Sequence, residues 1–330
     1  MIRVKLTFPH WPIERQTPGN SGVWGGCRFF CNTDVKECDY WVVCEGLEGR
    51  SETTRCPKEN TILITCEPSS IRSYKQEFTD QFATVITCQR NIKHKNLIFS
   101  QTALPWHIGR RQKNHVNLEF TKNYDELAEI RKVNKTKLIS VISSTKDNTE
   151  GHRRRLAFIG VLKKKLGDQI DIFGRGINEI EDKWDALIQY KYHVALENCS
   201  EADYWTEKLS DPFLAGCHPI YYGCPNIDDY FAPSSLTKID INHPVKAVDM
   251  IQRCMENQTY EASKPIVWKA REKVLNQYNL FAVLNSHIID FEQQIFKKDR
   301  PVQLKLKKES SDSNLIYKAR TTIRAFIVGR

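Results

Sequence analysis

From residue 138 onward, short apolar runs alternate with longer stretches of helical periodicity. That alternation restricts the fold more than any other feature of the chain. Leu138-Ile-Ser-Val-Ile-Ser143 reads as a strand, residues 153–166 as a basic helix, and Gln169-Ile-Asp-Ile-Phe173 as the next strand. A strand over 192–196, a helix near 207–215, the strand Pro219-Ile-Tyr-Tyr222 and helices over 244–256 and 265–295 continue the series. Strands separated by helices pair in parallel through crossovers, which gives a doubly wound α/β sheet of Rossmann type. Residues 4–8, 40–44, 61–66, 84–88 and 96–99 are briefer β-prone runs between polar or Gly/Pro-containing stretches. They predict a smaller α/β domain. The expected division is an N-terminal α/β domain over 1–135, a C-terminal Rossmann-like domain over 136–296 and a basic tail over 297–330.

Charge narrows the function classes. The 330-residue chain carries +9, but ten Lys/Arg against three Asp/Glu fall in 297–330, so most of the excess sits in the tail. A nucleic-acid surface needs that charge spread over a folded face, so no nucleic-acid partner is expected. Leu315, Ile316, Ala319, Ile323, Phe326 and Ile327 share one helical face while Lys318, Arg320 and Arg324 lie off it. This pattern predicts a basic amphipathic helix that either makes peripheral contact with a membrane surface or docks on the protein's own core, the other alternative being a loose end. There is no continuous apolar leader and no run of 18 apolar residues, so a cytoplasmic protein is expected, held peripherally on the inner face of the membrane through that tail.

Cysteine usage agrees with a reducing compartment. Eleven cysteines and no CxxC are present. Cys27, Cys31, Cys38 and Cys44 have spacing compatible with a zinc cluster. Cys44, however, ends the apolar run Tyr40-Trp-Val-Val-Cys, and such thiols read as small buried hydrophobes. Phosphate-loop, nucleophile-elbow, HExxH and DxD signatures are missing. Gly174-Arg-Gly176 has Glu179 where a dinucleotide fingerprint requires a third glycine.

The informative block lies at 190–231. An apolar strand ends in Glu197-Asn198, a polar loop carries Asp203, Tyr204 and Thr206, and Glu207-Lys208 opens a helix. Ligands of open α/β sheets bind beyond the carboxyl ends of strands. A helix N-terminus there suits phosphate, and an adjacent lysine adds a point charge. The run Glu197-Asn-Cys-Ser-Glu-Ala-Asp-Tyr-Trp-Thr-Glu-Lys-Leu209, followed by Phe213-Leu-Ala-Gly216 and Pro219-Ile-Tyr-Tyr-Gly-Cys-Pro225, resembles the signature of the family 10 glycosyltransferases, the inverting α-1,3/4-fucosyltransferases. The likeness extends over about 138–245 and more weakly to 290.

What the resemblance implies is specific. Such enzymes have a GT-B fold, two Rossmann-like domains facing a central cleft, with GDP-β-L-fucose held by the C-terminal one. It makes Lys208 the lysine that neutralises the diphosphate and Glu207 the glutamate that contacts the donor sugar or ribose. Asn198 and Tyr204 would line the same pocket. Arg155-Leu-Ala-Phe-Ile-Gly-Val-Leu162 matches the pattern of a diphosphate-binding arginine, although Arg153 and Arg154 leave its register open. Thr61-Ile-Leu-Ile-Thr-Cys-Glu67-Pro resembles the strand that ends in the catalytic glutamate, which makes Glu67 the base. The implied reaction moves L-fucose to a glycan hydroxyl, the 3-OH of GlcNAc or Glc, on an oligosaccharide, an O-antigen or a lipid-linked acceptor, and inverts to an α-linkage. No cofactor and no metal are expected. A transferase for another nucleotide sugar and a silent nucleotide-binding scaffold are the alternatives. Cys199 in place of the usual Ser/Thr and Pro212 within the helix are departures from the family pattern, and Pro212 predicts a short or kinked helix.

Overall fold

The computed structural model describes residues 1–9, 12–113, 117–143, 145, 147, 149–294 and 302–306. The predicted amphipathic helix over 315–330 lies outside the described residues. The chain forms two compact units, each built on its own parallel sheet, as the α/β reading anticipated.

Among the described residues the first unit takes 1–9, 26–100, 292–294 and 302–306. Its strands are β1 (Ile2–Thr7), β2 (Cys27–Cys31), β3 (Tyr40–Cys44), β4 (Glu52–Cys56), β5 (Thr61–Ile64), β6 (Thr84–Thr87) and β7 (Leu97–Phe99). The parallel order is β2-β1-β3-β5-β6-β7. β3 is buried throughout, the pattern of a central strand covered on both faces. A short helix, α1 (Gln76–Thr79), contributes Phe78 to a core that also holds Trp41, Val43, Leu63 and Val85.

Two features of this unit bear on the sequence reading, the first in line with buried thiols and the second not anticipated. Cys27 and Cys31 are buried inward-facing residues of β2 rather than metal ligands. Among the described residues no group of three His, Cys, Asp or Glu is placed to hold a metal ion. In the region assigned to the tail, residues 302–306 form a strand that pairs antiparallel with β4, Val302 opposite Cys56.

The second unit takes 12–25 and 101–291. It opens with a hairpin, β8 (Arg110–Lys113) and β9 (Asn117–Phe120), and the helix α2 (Tyr124–Glu129), which Asn123 and Glu126 close with a reciprocal capping box. The main sheet contains β10 (Lys137–Ile142), β11 (Ile170–Phe173), β12 (Tyr190–Leu196), β13 (His218–Tyr222) and β14 (Thr237–Lys238). The order is β11-β10-β12-β13-β14, all parallel. The helices are α3 (Glu150–Leu166), α4 (Glu207–Leu214), α5 (Pro244–Glu256), α6 (Thr259–Asn276) and α7 (Leu280–Gln294). The last residues of α7 group with the first unit. The single helix expected over 265–295 is two helices, because Asn279 breaks the run and its side chain accepts from Ala282 N.

The sheet is buried on both faces. Ile139, Val141, Val194, Leu196 and Ile220 pack against α3 and α5. Ala195 and Tyr221, one residue out of phase, pack with α4 and α6. The period of two along β12 is therefore apolar on both sides.

The boundary at 135 is corrected by these contacts. Arg15, buried, donates to the carbonyls of Trp106, Ile108 and Lys122, and Gly19 N donates to Asp125. Residues 12–25 and 101–131 therefore belong with the second sheet, because their backbone polar groups are satisfied there.

Candidate active site

The strand order of the second unit reverses between β10 and β12, and doubly wound sheets bind ligands beyond the carboxyl ends of the strands at that point. Two helices begin there. α3 starts with Thr149 accepting from His152 N, and its last turn carries Lys163, Lys164 and Lys165. α4 starts with Thr206 accepting from Lys208 N. The two starts are brought close by a glycine. A Cβ on Gly151, in the first turn of α3, would lie 1.8 Å from the Asn198 carbonyl oxygen.

Glu197 organises the loop between β12 and α4. It is fully buried, and it accepts from Thr206 N at 2.8 Å and from the Thr206 hydroxyl at 2.9 and 3.0 Å. Burial pushes its carboxyl up, against the pull of Lys208 at 3.5 Å. Asn226 and Tyr230 hold Asp203, at φ +64°, on the same loop.

The predicted site residues divide clearly. Arg155 is buried on α3. It donates to Asn198 Oδ1 at 2.7 Å and more weakly to the Leu196 carbonyl at 3.4 Å, while its Nε is buried without a hydrogen bond. Arg153 and Arg154 are exposed; Arg153 meets the Asp147 carbonyl and Arg154 pairs with Glu150. The register left open by sequence therefore places Arg155 next to Asn198. Tyr204 is buried, close enough to act on the Arg155 guanidinium electrostatically.

Glu207 and Lys208 sit in the first turn of α4. Lys208 Nζ lies 3.2 Å from Thr206 Oγ1, 3.4 Å from Glu207 and 3.5 Å from Glu197. Burial alone would raise the Glu207 carboxyl, but Lys208 and Lys183 hold it well below the usual carboxylate range. It is an ionised carboxylate at neutral pH.

Glu67 belongs to the first unit. β5 ends at Ile64, so Glu67 lies three residues beyond the strand in a loop, half-buried. Gln89 fixes that loop by donating to the carbonyls of Glu67 and Arg72.

Three further residues gather at Glu207 that sequence reasoning missed. Lys183 Nζ lies 3.2 Å from Glu207 Oε1, 3.3 Å from His107 Nδ1 and 3.7 Å from Asp211 Oδ2. His107 Nδ1 is 3.5 Å from Glu207 Oε1, and burial lowers this imidazole to about 3. Asp211 Oδ1 accepts from His107 N at 2.9 Å, and burial raises this carboxyl to about 7. Only Glu207 and Asp211, four apart on α4, share a local signal.

A doubly wound α/β unit with two helix starts, a buried arginine, a lysine and an ionised carboxylate at its switch point defines a domain suited to an anion that also bears hydroxyls. Comparison specifies which domain. Residues 132–294 match the model described as Glycosyltransferase family 10 (fucosyltransferase) C-term, so that stretch is similar to family 10. It is 33% identical over 97 residues to GDP-fucose protein O-fucosyltransferase 3 of Danio rerio, covering 29% of this chain and 21% of that protein. It is 36% identical over 101 residues to the protein of the same name in Homo sapiens, covering 29% and 20%. The match thus spans about a fifth of these relatives' length. A solved α1,3-fucosyltransferase with GDP-fucose aligns over 90% of this chain and 91% of its own, at 14% identity and a TM-score of 0.49.

Proposed function

We propose that the protein transfers L-fucose from GDP-β-L-fucose to an acceptor hydroxyl, with inversion to an α-linkage. The observation that carries this reading is the convergence of Arg155, Asn198, Glu207 and Lys208 at the switch point of a domain similar to family 10. Arg155 and Lys208 face the diphosphate and stabilise the charge it gains as the glycosyl bond breaks. Glu207 accepts hydrogen bonds from donor hydroxyls. Asn198 and Tyr204 shape the pocket around them, Asn198 by holding the guanidinium. Glu67 takes the acceptor proton as the oxocarbenium-like sugar is attacked. Two fixed cations supply the charge stabilisation that a divalent ion supplies elsewhere, so transfer should persist in chelator.

The acceptor divides into two readings. The implied acceptor is a glycan hydroxyl. The two relatives named above carry protein O-fucosyltransferase in their names, which favours a hydroxyl on a polypeptide as the second reading.

Titration calorimetry in chelator with GDP, GDP-fucose, GDP-mannose and a UDP-sugar tests the donor. GDP and GDP-fucose should bind, and Lys208→Ala should weaken both at least tenfold, as the loss of a charge-assisted contact does. Binding of the UDP-sugar alone would overturn the fucose assignment. Labelled GDP-fucose offered with oligosaccharides in one arm and with polypeptides in the other decides the acceptor.

A further inference from the structure

The carboxylate of Glu207 is served by two lysines, and only one of them belongs to the diphosphate chemistry above. Lys208 is shared between Glu197, Glu207 and Thr206. A bound diphosphate would draw it away from those partners. Two carboxylates, Glu197 and Glu207, would then lose a neighbouring positive charge at the moment a further anion arrives. Like charges gathered in a buried site cannot all remain ionised without compensation.

Lys183 is placed to compensate. It sits in the helical turn Lys183–Ala186, outside the 197–208 loop, and that turn is held independently. Asp182, just before it, accepts from Trp184 N, Gly109 N and the Thr121 hydroxyl. Asp211 fastens residue 107 to α4 from the other side. The Lys183 ammonium therefore enters the Glu207 site on a scaffold that owes nothing to the diphosphate. Lys208, Lys183 and His107 all reach the same oxygen, Oε1. Burial keeps His107 neutral at pH 7, so Lys183 is the second full charge on that oxygen. Among the described residues Arg155, Asp211 and Arg110 are further charged neighbours of this cluster; Arg155 donates to Asn198, Asp211 shares Lys183 with Glu207, and Arg110 acts on His107.

The geometry points to Lys183 as a positioning residue of the donor site. Pinned between Glu207, Asp211 and His107, it keeps the Glu207 carboxylate ionised and fixed so that it can accept the hydroxyls of the donor's sugar once Lys208 has turned to the diphosphate. This inference rests on the donor-site reading given above. It assigns to Lys183 selectivity for the sugar-bearing donor over the bare nucleotide, rather than affinity for phosphate.

The test is calorimetry with GDP and GDP-fucose on the full chain, as wild type and as Lys183→Met, Lys183→Arg, Lys183→Gln and Lys208→Ala. Lys183→Met should leave GDP binding within about threefold and weaken GDP-fucose binding at least tenfold, the loss expected of a charge-assisted contact. Lys183→Arg should restore most of that loss. A merely structural role would lower both affinities together and leave their ratio unchanged. Equal loss for both ligands, or no loss for either, in Lys183→Met and Lys183→Gln overturns the inference. If Lys183→Met does not fold, the ratio in Lys183→Gln decides. If the wild type does not bind GDP, or Lys208→Ala binds as well as the wild type, the donor-site reading fails and Lys183 loses its role with it.

Discussion

At the scale of single residues, the site is a balance of three carboxylates against three cations. Glu207 is ionised, Glu197 is pushed up by burial, and Asp211 is raised to about 7. Asp211 yields a pH prediction. Its folded-state value lies above the unfolded one, so the folded protein holds this proton more tightly than the unfolded chain. The stabilisation is complete below the ordinary value of 3.8 and is lost as pH rises through about 7. Asn at this position still accepts from His107 N and has no proton to lose. Asp211→Asn should therefore gain on the wild type by roughly 1–4 kcal/mol between pH 5 and pH 8, measured by urea unfolding at both values. The proximity of Asn198, Glu207 and Lys208 was legible because they lie within a few residues of one strand end and one helix start. Lys183 and His107 were not. They reach Glu207 from 24 and 100 positions away through packing, and no spacing rule spans that.

At the scale of elements, the meeting of α3 and α4 depends on the bare Cα of Gly151. Its neighbour is a backbone carbonyl, which cannot rotate aside. Gly151→Ala should cost about 1–3 kcal/mol, as overpacking does, and should lower GDP affinity more than tenfold by displacing Asn198 from Arg155. Thermal unfolding and calorimetry on the same sample check both effects. The strands and helices of the second unit were legible because apolar strands buried on both faces stand out from polar loops. β2 was less legible because two of its three inward residues are cysteines, which also fit a metal-ligand spacing. The end of α6 was hidden because Gln277 and Tyr278 are unremarkable helix residues, and the break depends on how Asn279 caps the next helix. Pro212 did mark a short α4: the helix closes at Leu214, and Gly216 follows at φ +72°.

At the scale of the whole molecule, the two sheets divide the proposed labour. Donor binding is proposed for the second unit and proton removal for the first. Glu67→Gln should therefore leave GDP-fucose affinity unchanged while lowering the transfer rate about 10²–10⁴-fold, the usual contribution of a general base. Donor calorimetry beside a transfer assay separates the two effects, and a matching loss of affinity would remove Glu67 from the role. The presence of two α/β units was legible from alternation alone. Their limits were not, because the segments 12–25 and 101–131 carry weak periodicity and are assigned by what they touch. Among the described residues no helix is long and apolar enough to cross a membrane.

The clamp made by Arg15 has a consequence for how the chain is made. Its two terminal guanidinium nitrogens donate to carbonyls 91, 93 and 107 residues further along. At ribosomal speeds of about 5–20 residues per second, those acceptors emerge roughly 5–20 s after the arginine. For that interval the segment around Arg15 has no native place, and the first unit must begin to assemble around an unpaired insert. Slow codons or a chaperone acting over the first hundred residues would therefore bear on the yield of folded protein more than comparable delays later in the chain.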